Sequence, residues 1–221
     1  MNEAEILNLK PQLEQGLDTL GLSLTSEQVS RLMHYLGLLN KWNQIYNLTA
    51  IRDPQEMLVK HLLDSLVVVP HLRGETFIDV GTGGGLPGIP LAICFPDKRI
   101  DLLDSNSKKT RFLIQAKGEL GLTNTKVLHQ RVEEYRPQPL YDGVISRAFA
   151  SLNDMVTWTQ DLLHPAGYWW AMKAQKETEE FRDLPIWVEV DTIIELKVPG
   201  LDAQRRLIQM HKRSGASSAQ S

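Results

Sequence analysis

Between Phe77 and Asp104 the chain permits few folds. The apolar pair Phe77-Ile78 runs into Asp79-Val80-Gly81-Thr82-Gly83-Gly84-Gly85-Leu86-Pro87-Gly88, a strand entering a glycine-rich bend. A second apolar run, Ile100-Asp101-Leu102-Leu103, ends in Asp104. Glycine at 81, 83 and 85 lets the backbone turn tightly and approach a ligand with no side chains in the way. Pro87 is placed to open the next helix, where its missing N–H costs nothing. In such a unit Asp104 is positioned to take the two hydroxyls of a ribose.

The bend also selects its ligand. No Lys-Ser or Lys-Thr pair closes the glycine run, so a P-loop is excluded. Gly83, Gly85 and Gly88 spell G-x-G-x-x-G, which keeps an NAD-dependent oxidoreductase open as an alternative. Asp79 stands against it, because its carboxylate repels a pyrophosphate. S-adenosylmethionine carries no phosphate, and its sulfonium and α-amino groups suit acids at both ends of the bend. The residues therefore predict S-adenosylmethionine as cofactor, with Asp79, Gly81, Gly83 and Asp104 around it.

The first 75 residues read as helices. One is expected over 4–20, ending at Gly21. Thr25 with Gln28 forms a capping box, after which Val29, Leu32, Met33, Leu36, Leu39 and Trp42 recur at helical spacing. Asp53-Pro54 with Glu56 opens a further helix through Leu66, stopping before Pro70. From residue 76 the rhythm changes. Strands are expected at 76–80, 99–103, 125–129, 141–146 and 167–173, with helices at 88–95, 107–120, 151–163 and 175–182. Alternation at 186–198 and 205–211 predicts a terminal antiparallel hairpin. The expected fold is α/β, a doubly wound, mostly parallel sheet with an N-terminal helical extension. Its divisions are residues 1–75 for the extension, 76–213 for the cofactor-binding domain and 214–221 for a disordered tail.

Charge restricts the partners. The formal net charge is −3, whereas a protein relying on free nucleic acid is usually basic. If RNA is the substrate, local patches must hold it, or the shape of a larger particle. The candidate patches are Lys108-Lys109-Thr110-Arg111 and Arg205-Arg206 with Lys212-Arg213. No apolar run reaches membrane-spanning length and the N-terminus is acidic, so a cytoplasmic protein is expected. Cys94, the single cysteine, lies in an apolar helix face and reads as buried filler. The six histidines lack metal-ligand spacing, so no metal is expected.

In an open parallel sheet the ligand lies over the carboxyl ends of the strands. After the 125–129 strand, Val132 is placed to pack on an adenine face, with Glu133 or a backbone group reading its amine. The alternative is that Glu133 and Glu134 open a helix, where the dipole favours acids. After the 141–146 strand comes Arg147, the foremost candidate for a functional cation, suited to a carboxylate or a phosphate. Lys173 occupies the equivalent place one strand on.

With these residues identified, the chain resembles the bacterial 16S ribosomal RNA (guanine-N7) methyltransferases, the glucose-inhibited division protein B family. The matching stretches are Trp42-Asn43, Tyr46-Asn47-Leu48-Thr49-Ala50, His61-Leu62-Leu63-Asp64-Ser65, Asp79 through Pro90, Leu103-Asp104-Ser105-Asn106 with Lys108, and Ile145-Ser146-Arg147-Ala148-Phe149. The resemblance implies a Rossmann-like class I methyltransferase that uses S-adenosylmethionine. Its implied substrate is the guanine at position 527 of 16S rRNA, within the small ribosomal subunit, and its implied cofactor contacts are Gly81, Leu86, Val132, Glu133 and Arg147. Beside these, Arg147, Asn47 and Lys173 are the candidates for catalysis, while Thr49 and His61 are placed to orient RNA or close the pocket. Asn47 has an alternative role as a helix cap. The acidic balance makes an assembled particle the better substrate, and the enzyme is expected to be a monomer. A non-catalytic ribosome-binding module is the other alternative.

Overall fold

The computed structural model describes residues 3–147, 149, 151–174 and 181–213. Three helices lead: α1 (Glu3–Leu7), α2 (Lys10–Thr19) and α3 (Ser26–Tyr46). The single helix expected over 4–20 is thus two. Pro11, in the first turn of α2, has no N–H to donate back to Leu7, so the helical ladder breaks there. The Thr25–Gln28 capping box starts α3, with Thr25 Oγ1 accepting from Gln28 N at 3.2 Å and Gln28 Oε1 from Thr25 N at 2.9 Å. Gln28 Nε2 also donates to the carbonyls of Ile93 (2.9 Å) and Cys94 (3.2 Å), tying α3 to a helix behind the sheet.

The helix expected after Asp53 forms in pieces: α4 (Pro54–Met57), a π-helical turn over Leu58–Leu63, then α5 (Asp64–Leu66). Asp53 caps it, its Oδ1 accepting from Glu56 N at 2.8 Å. π-turns inside α-helices concentrate at functional sites, and this one carries Lys60 and His61.

Strands and helices then alternate: β1 (Thr76–Val80), α6 (Gly88–Cys94), β2 (Arg99–Asp104), α7 (Ser107–Glu119), β3 (Val127–His129), β4 (Tyr141–Ser146), α8 (Leu152–Thr159) and β5 (Leu163–Ala174). The helix expected to 163 stops at Thr159, because Leu163 already pairs with Tyr141 as the start of β5. The chain closes with β6 (Val188–Leu196) and β7 (Arg205–Lys212), the expected hairpin. The helix expected at 175–182 falls mainly on 175–180, outside the described residues, as does the expected tail at 214–221; Phe181 lies in a turn.

The sheet runs β3-β2-β1-β4-β5-β7-β6, with β1 to β5 parallel and β7 antiparallel to β5. Alternation along each strand feeds two buried clusters. Phe77, Ile100, Leu102 and Trp170 pack with Leu36, Leu62 and Leu113 on one face. Ile78, Leu103, Val144 and Trp169 pack with Leu152, Met155 and Val156 on the other. Leu13, Leu17 and Leu36 from the first helices belong to the first cluster, so the N-terminal segment covers one face of the sheet. Because β7 is antiparallel, its first residues lie at the carboxyl end of β5, where Lys173 pairs with Arg206 and Ala174 with Arg205.

Candidate active site

The glycine bend is held from below, above and behind. Gly81 N and Thr82 N both donate to the Leu103 carbonyl, at 2.9 and 3.2 Å, and Gly83 N donates to Asp104 Oδ2 at 2.9 Å. Tyr35, fully buried in α3, donates its hydroxyl to the Gly84 carbonyl at 2.6 Å. Gly83 has φ +61°, a conformation open to glycine but strained for other residues. At Gly88 the constraint is space, since a Cβ there would lie 2.2 Å from Leu102 Cδ2 and 2.8 Å from Asp79 Oδ2.

Asp79 lies under this bend. Strand alternation turns its side chain to the same face as Phe77, where it is fully buried. Its Oδ2 accepts from Thr82 Oγ1 at 2.6 Å and from Gly88 N at 2.8 Å, so it ties the bend to the start of α6. Burial pushes its carboxyl up to about 6, against the opposing pull of those two hydrogen bonds. This placement decides between the two ligands that the glycine pattern leaves open. A dinucleotide seats its pyrophosphate at that helix start, and here a carboxylate is already there.

Above the bend, a cavity of about 330 Å³ is lined by Gly81, Leu103, Asp104, Val132, Glu133 and Phe149, with Asp154 and Trp158 on its wall. Leu103, Val132, Phe149 and Trp158 give it apolar surface for a base. Among the described residues Asp104, Glu133 and Asp154 face it, with Arg131 as the one cation on its wall. An acid-rich wall beside an apolar slot fits a nucleoside bearing cationic groups and disfavours phosphates. Asp104 Oδ1 accepts from Asn106 N at 2.8 Å, and each of its oxygens keeps a second lone pair for a ribose hydroxyl. The residues present therefore fit S-adenosylmethionine. Glu133 sits in a 3-10 turn, Val132–Glu134, so the alternative of a local helix start also has a basis there.

A smaller cleft of about 150 Å³ opens on the other side of the bend. Leu39, Leu48, Thr49, His61, Leu86 and Arg147 line it together with Gly81 and Gly83, so Gly81 borders both cavities. Thr49 Oγ1 lies 2.8 Å from His61 Nε2. Burial, and next the positive charge of Arg147, lower His61 to about 4, so the imidazole is neutral at pH 7. Arg147 Nη1 donates to Asp64 Oδ2 at 3.0 Å and to the Lys60 carbonyl at 3.2 Å. Lys173 Nζ donates to the Phe149 carbonyl at 3.0 Å and faces a further cavity beside Arg147.

Asn47 stands apart from these cavities. It caps the end of α3 with φ +49°, and its exposed side chain accepts from Arg52 at 2.7 Å. From the same helix Leu39 lines the cleft, and Asn43 positions another of its lining residues. Its Nδ2 donates to the Ile51 carbonyl and its Oδ1 accepts from Thr49 N, at 2.9 and 2.8 Å, which holds Thr49 against His61. Its signal was an asparagine on the apolar stripe of α3. Tyr35 and Trp158 left no such signal.

The family model of rRNA small subunit methyltransferase G (GidB) matches residues 28–209. The ribosomal RNA small subunit methyltransferase G of Hydrogenovibrio crunogenus is 59% identical over 201 residues, covering 91% of this chain and 93% of its own. That of Saccharophagus degradans is 52% identical, covering 90% and 89%. Among solved structures, an S-adenosylmethionine-dependent methyltransferase from Aquifex aeolicus superposes with a TM-score of 0.54 at 13% identity, covering 78% and 97%. One from Thiobacillus denitrificans, in complex with S-adenosyl-L-homocysteine, gives 0.50 at 12% identity over 80% and 97%. At those identities the structures speak to the fold alone, which is that of S-adenosylmethionine-dependent methyltransferases. The sequence matches reach further: with the family pattern and these relatives spanning most of its length, the chain belongs to the rRNA small subunit methyltransferase G family.

Proposed function

We propose that the protein transfers a methyl group from S-adenosylmethionine to N7 of a guanine in 16S rRNA, position 527 by the family resemblance. Family membership carries the reading at the level of rRNA methylation. The observation in the site that supports it is an acid-lined cavity and a smaller cleft on either side of Gly81, which borders both. The cofactor supplies an electrophilic methyl group on a sulfonium. Asp104, Val132 and Glu133 hold its nucleoside, and Gly81 and Leu86 shape the bend along it. Guanine N7 has a free in-plane lone pair, so the reaction needs no deprotonation. That accords with a neutral, hydrogen-bonded His61 in the cleft. Alignment and exclusion of water then supply most of the acceleration.

Arg147 is the functional cation of this reading. A bidentate grip on guanine O6 and N7 would occupy the reacting atom, so Arg147 serves O6 alone, a phosphate or the cofactor carboxylate. Asp79 acts beneath the bend as its anchor. The acidic overall balance favours the assembled small subunit over naked RNA, with the enzyme acting as a cytoplasmic monomer. The test is methyl transfer from labelled donor to purified small subunits and to naked 16S rRNA, followed by mapping of the modified base. Label confined to one guanine N7 is expected. Label on another base, or none with either substrate, would overturn the reading.

A further inference from the structure

A third cavity, about 310 Å³, lies between the π-turn and the carboxyl end of β5. Among the described residues five cationic ones line it, Lys60, Arg147, Lys173, Arg205 and Arg206, with one carboxylate, Asp64. They come from four places in the chain, and the fold gathers them. The π-turn brings Lys60, the end of β4 brings Arg147, and the end of β5 brings Lys173. The antiparallel entry of β7 brings Arg205 and Arg206 beside it. Asp64 is 2% exposed and both its oxygens are engaged, one by Arg147 Nη1 at 3.0 Å and the other by Arg205 Nε at 2.9 Å. It therefore orders two guanidinium groups, and the described lining keeps an excess of positive charge. Among the described residues Lys60 and Arg206 pair only with exposed glutamates, Glu56 and Glu195, at 2.7 and 3.5 Å. Exposed pairs of that kind are weak and exchange readily for a better anion.

This cavity shares His61 and Arg147 with the cleft at the glycine bend. We propose that it is an RNA backbone subsite: Lys60, Lys173 and Arg206, with Arg147 at the shared wall, take a phosphate next to the guanosine being methylated. The proposal rests on the rRNA methyltransferase reading above and names how that site grips its substrate. It also separates basic stretches that look equivalent in the sequence. Lys212 and Arg213 sit at the far end of β7. There Lys212 Nζ donates to the carbonyls of Gln160 and Leu163, at 2.8 and 3.0 Å, and Arg213 lies 3.7 Å from Glu189. Lys212 is thus bound into the fold and Arg213 lies away from the cavity, whereas Arg205 and Arg206 face it.

The test uses Arg206→Gln, Lys60→Gln and the double variant, none of which touches the Asp64 pairs. Binding to small subunits and to naked 16S rRNA is measured against salt concentration. S-adenosyl-L-homocysteine binding is followed by calorimetry, and methyl transfer is split into KM and kcat. Each single variant is expected to weaken RNA binding roughly tenfold, as for a lost charge-assisted hydrogen bond. Each should also flatten the salt slope by about 0.7 to 0.9. KM for RNA rises, while affinity for S-adenosyl-L-homocysteine stays at the wild-type value. Unchanged salt slopes and KM would overturn the proposal. So would weakened S-adenosyl-L-homocysteine binding with intact RNA binding, which would make the cavity a seat for the cofactor carboxylate. Wild-type protein that binds neither form of RNA would also overturn it. If RNA binding weakens in the variants as expected but wild-type protein methylates no rRNA, the subsite stands and the enzymatic reading falls.

Discussion

Asp64 Oδ2 accepts from Arg147 Nη1 at 3.0 Å, and with the Lys60 carbonyl at 3.2 Å it sets which way this guanidinium faces. The other oxygen of Asp64 is held by Arg205, so the carboxylate is fixed from both sides and passes that order to Arg147. Replacing it by a neutral amide leaves two partly buried guanidiniums uncompensated. Asp64→Asn is expected to destabilise the fold by about 3 kcal/mol, as for a broken buried ion pair. It should also lower kcat on the order of 100-fold through misplacement of Arg147. Urea unfolding and single-turnover methyl transfer measure the two effects. A stable variant with wild-type kcat would deny Asp64 this positioning role.

Arg147 itself is expected to matter for transfer rather than for folding. In Arg147→Ala, Asp64 keeps Arg205 as its partner, so the loss in stability is about 1 kcal/mol. Methyl transfer should fall by two orders of magnitude or more. Arg147→Lys should recover only part of it, since an ammonium does not reproduce the planar fork. Full activity in Arg147→Ala would remove this residue from the site.

Tyr35 fixes the bend from the N-terminal side. Tyr35→Phe leaves the buried Gly84 carbonyl without its donor, at an expected cost of about 1 to 3 kcal/mol. Affinity for S-adenosyl-L-homocysteine should weaken with it, because the bend loses one of its tethers. Calorimetry on the folded variant reads this directly, and an unchanged affinity would show that the bend holds its shape without α3.

Much of this architecture was legible because its signals are local. Buried parallel strands read as short apolar runs, the capping box spells the start of α3, and the glycine bend between Phe77 and Gly88 announces its own turn. Other features depend on atoms distant in sequence. The ion pair of Asp64 with Arg205 spans 141 residues, and no periodicity links them. The π-turn at Leu58–Leu63 shifts a hydrogen-bond register while keeping the apolar spacing of an ordinary helix, so the pattern looks unbroken. Asp79 was visible as a carboxylate at the bend. Its direction follows only once β1 is known to turn Phe77 and Asp79 to the same face.

Asp104 carries the next prediction. It faces the larger cavity while holding Gly83 N and Asn106 N. Asp104→Asn removes the charge that strengthens hydrogen bonds to a ribose, an expected loss of about 1.5 to 3 kcal/mol in S-adenosyl-L-homocysteine binding, or roughly 10- to 150-fold. NAD should bind neither wild type nor variant, because Asp79 occupies the helix start a pyrophosphate needs. Tight NAD binding to the wild type would overturn this account of the bend.

Asp79 and His61 make opposite contributions to stability across the same pH range. Burial raises the Asp79 carboxyl from 3.8 to about 6. Between those values the native state keeps a proton that the unfolded chain has released, so the stability due to Asp79 is lost as pH rises through about 6. Burial, then Arg147, lowers His61 from 6.5 to about 4. Here the unfolded chain binds a proton that the native state refuses, so stability due to a neutral His61 is lost as pH falls from 6.5 towards 4. Each effect is worth about 3 kcal/mol, and in the wild type they largely cancel. Substituting one residue exposes the other. Relative to wild type, Asp79→Asn should gain stability as pH rises from 4 to 6.5, and His61→Gln should lose it over the same interval. Urea unfolding at half-unit pH steps measures both differences. Curves that run parallel to wild type would mean that neither group titrates differently in the folded and unfolded chain.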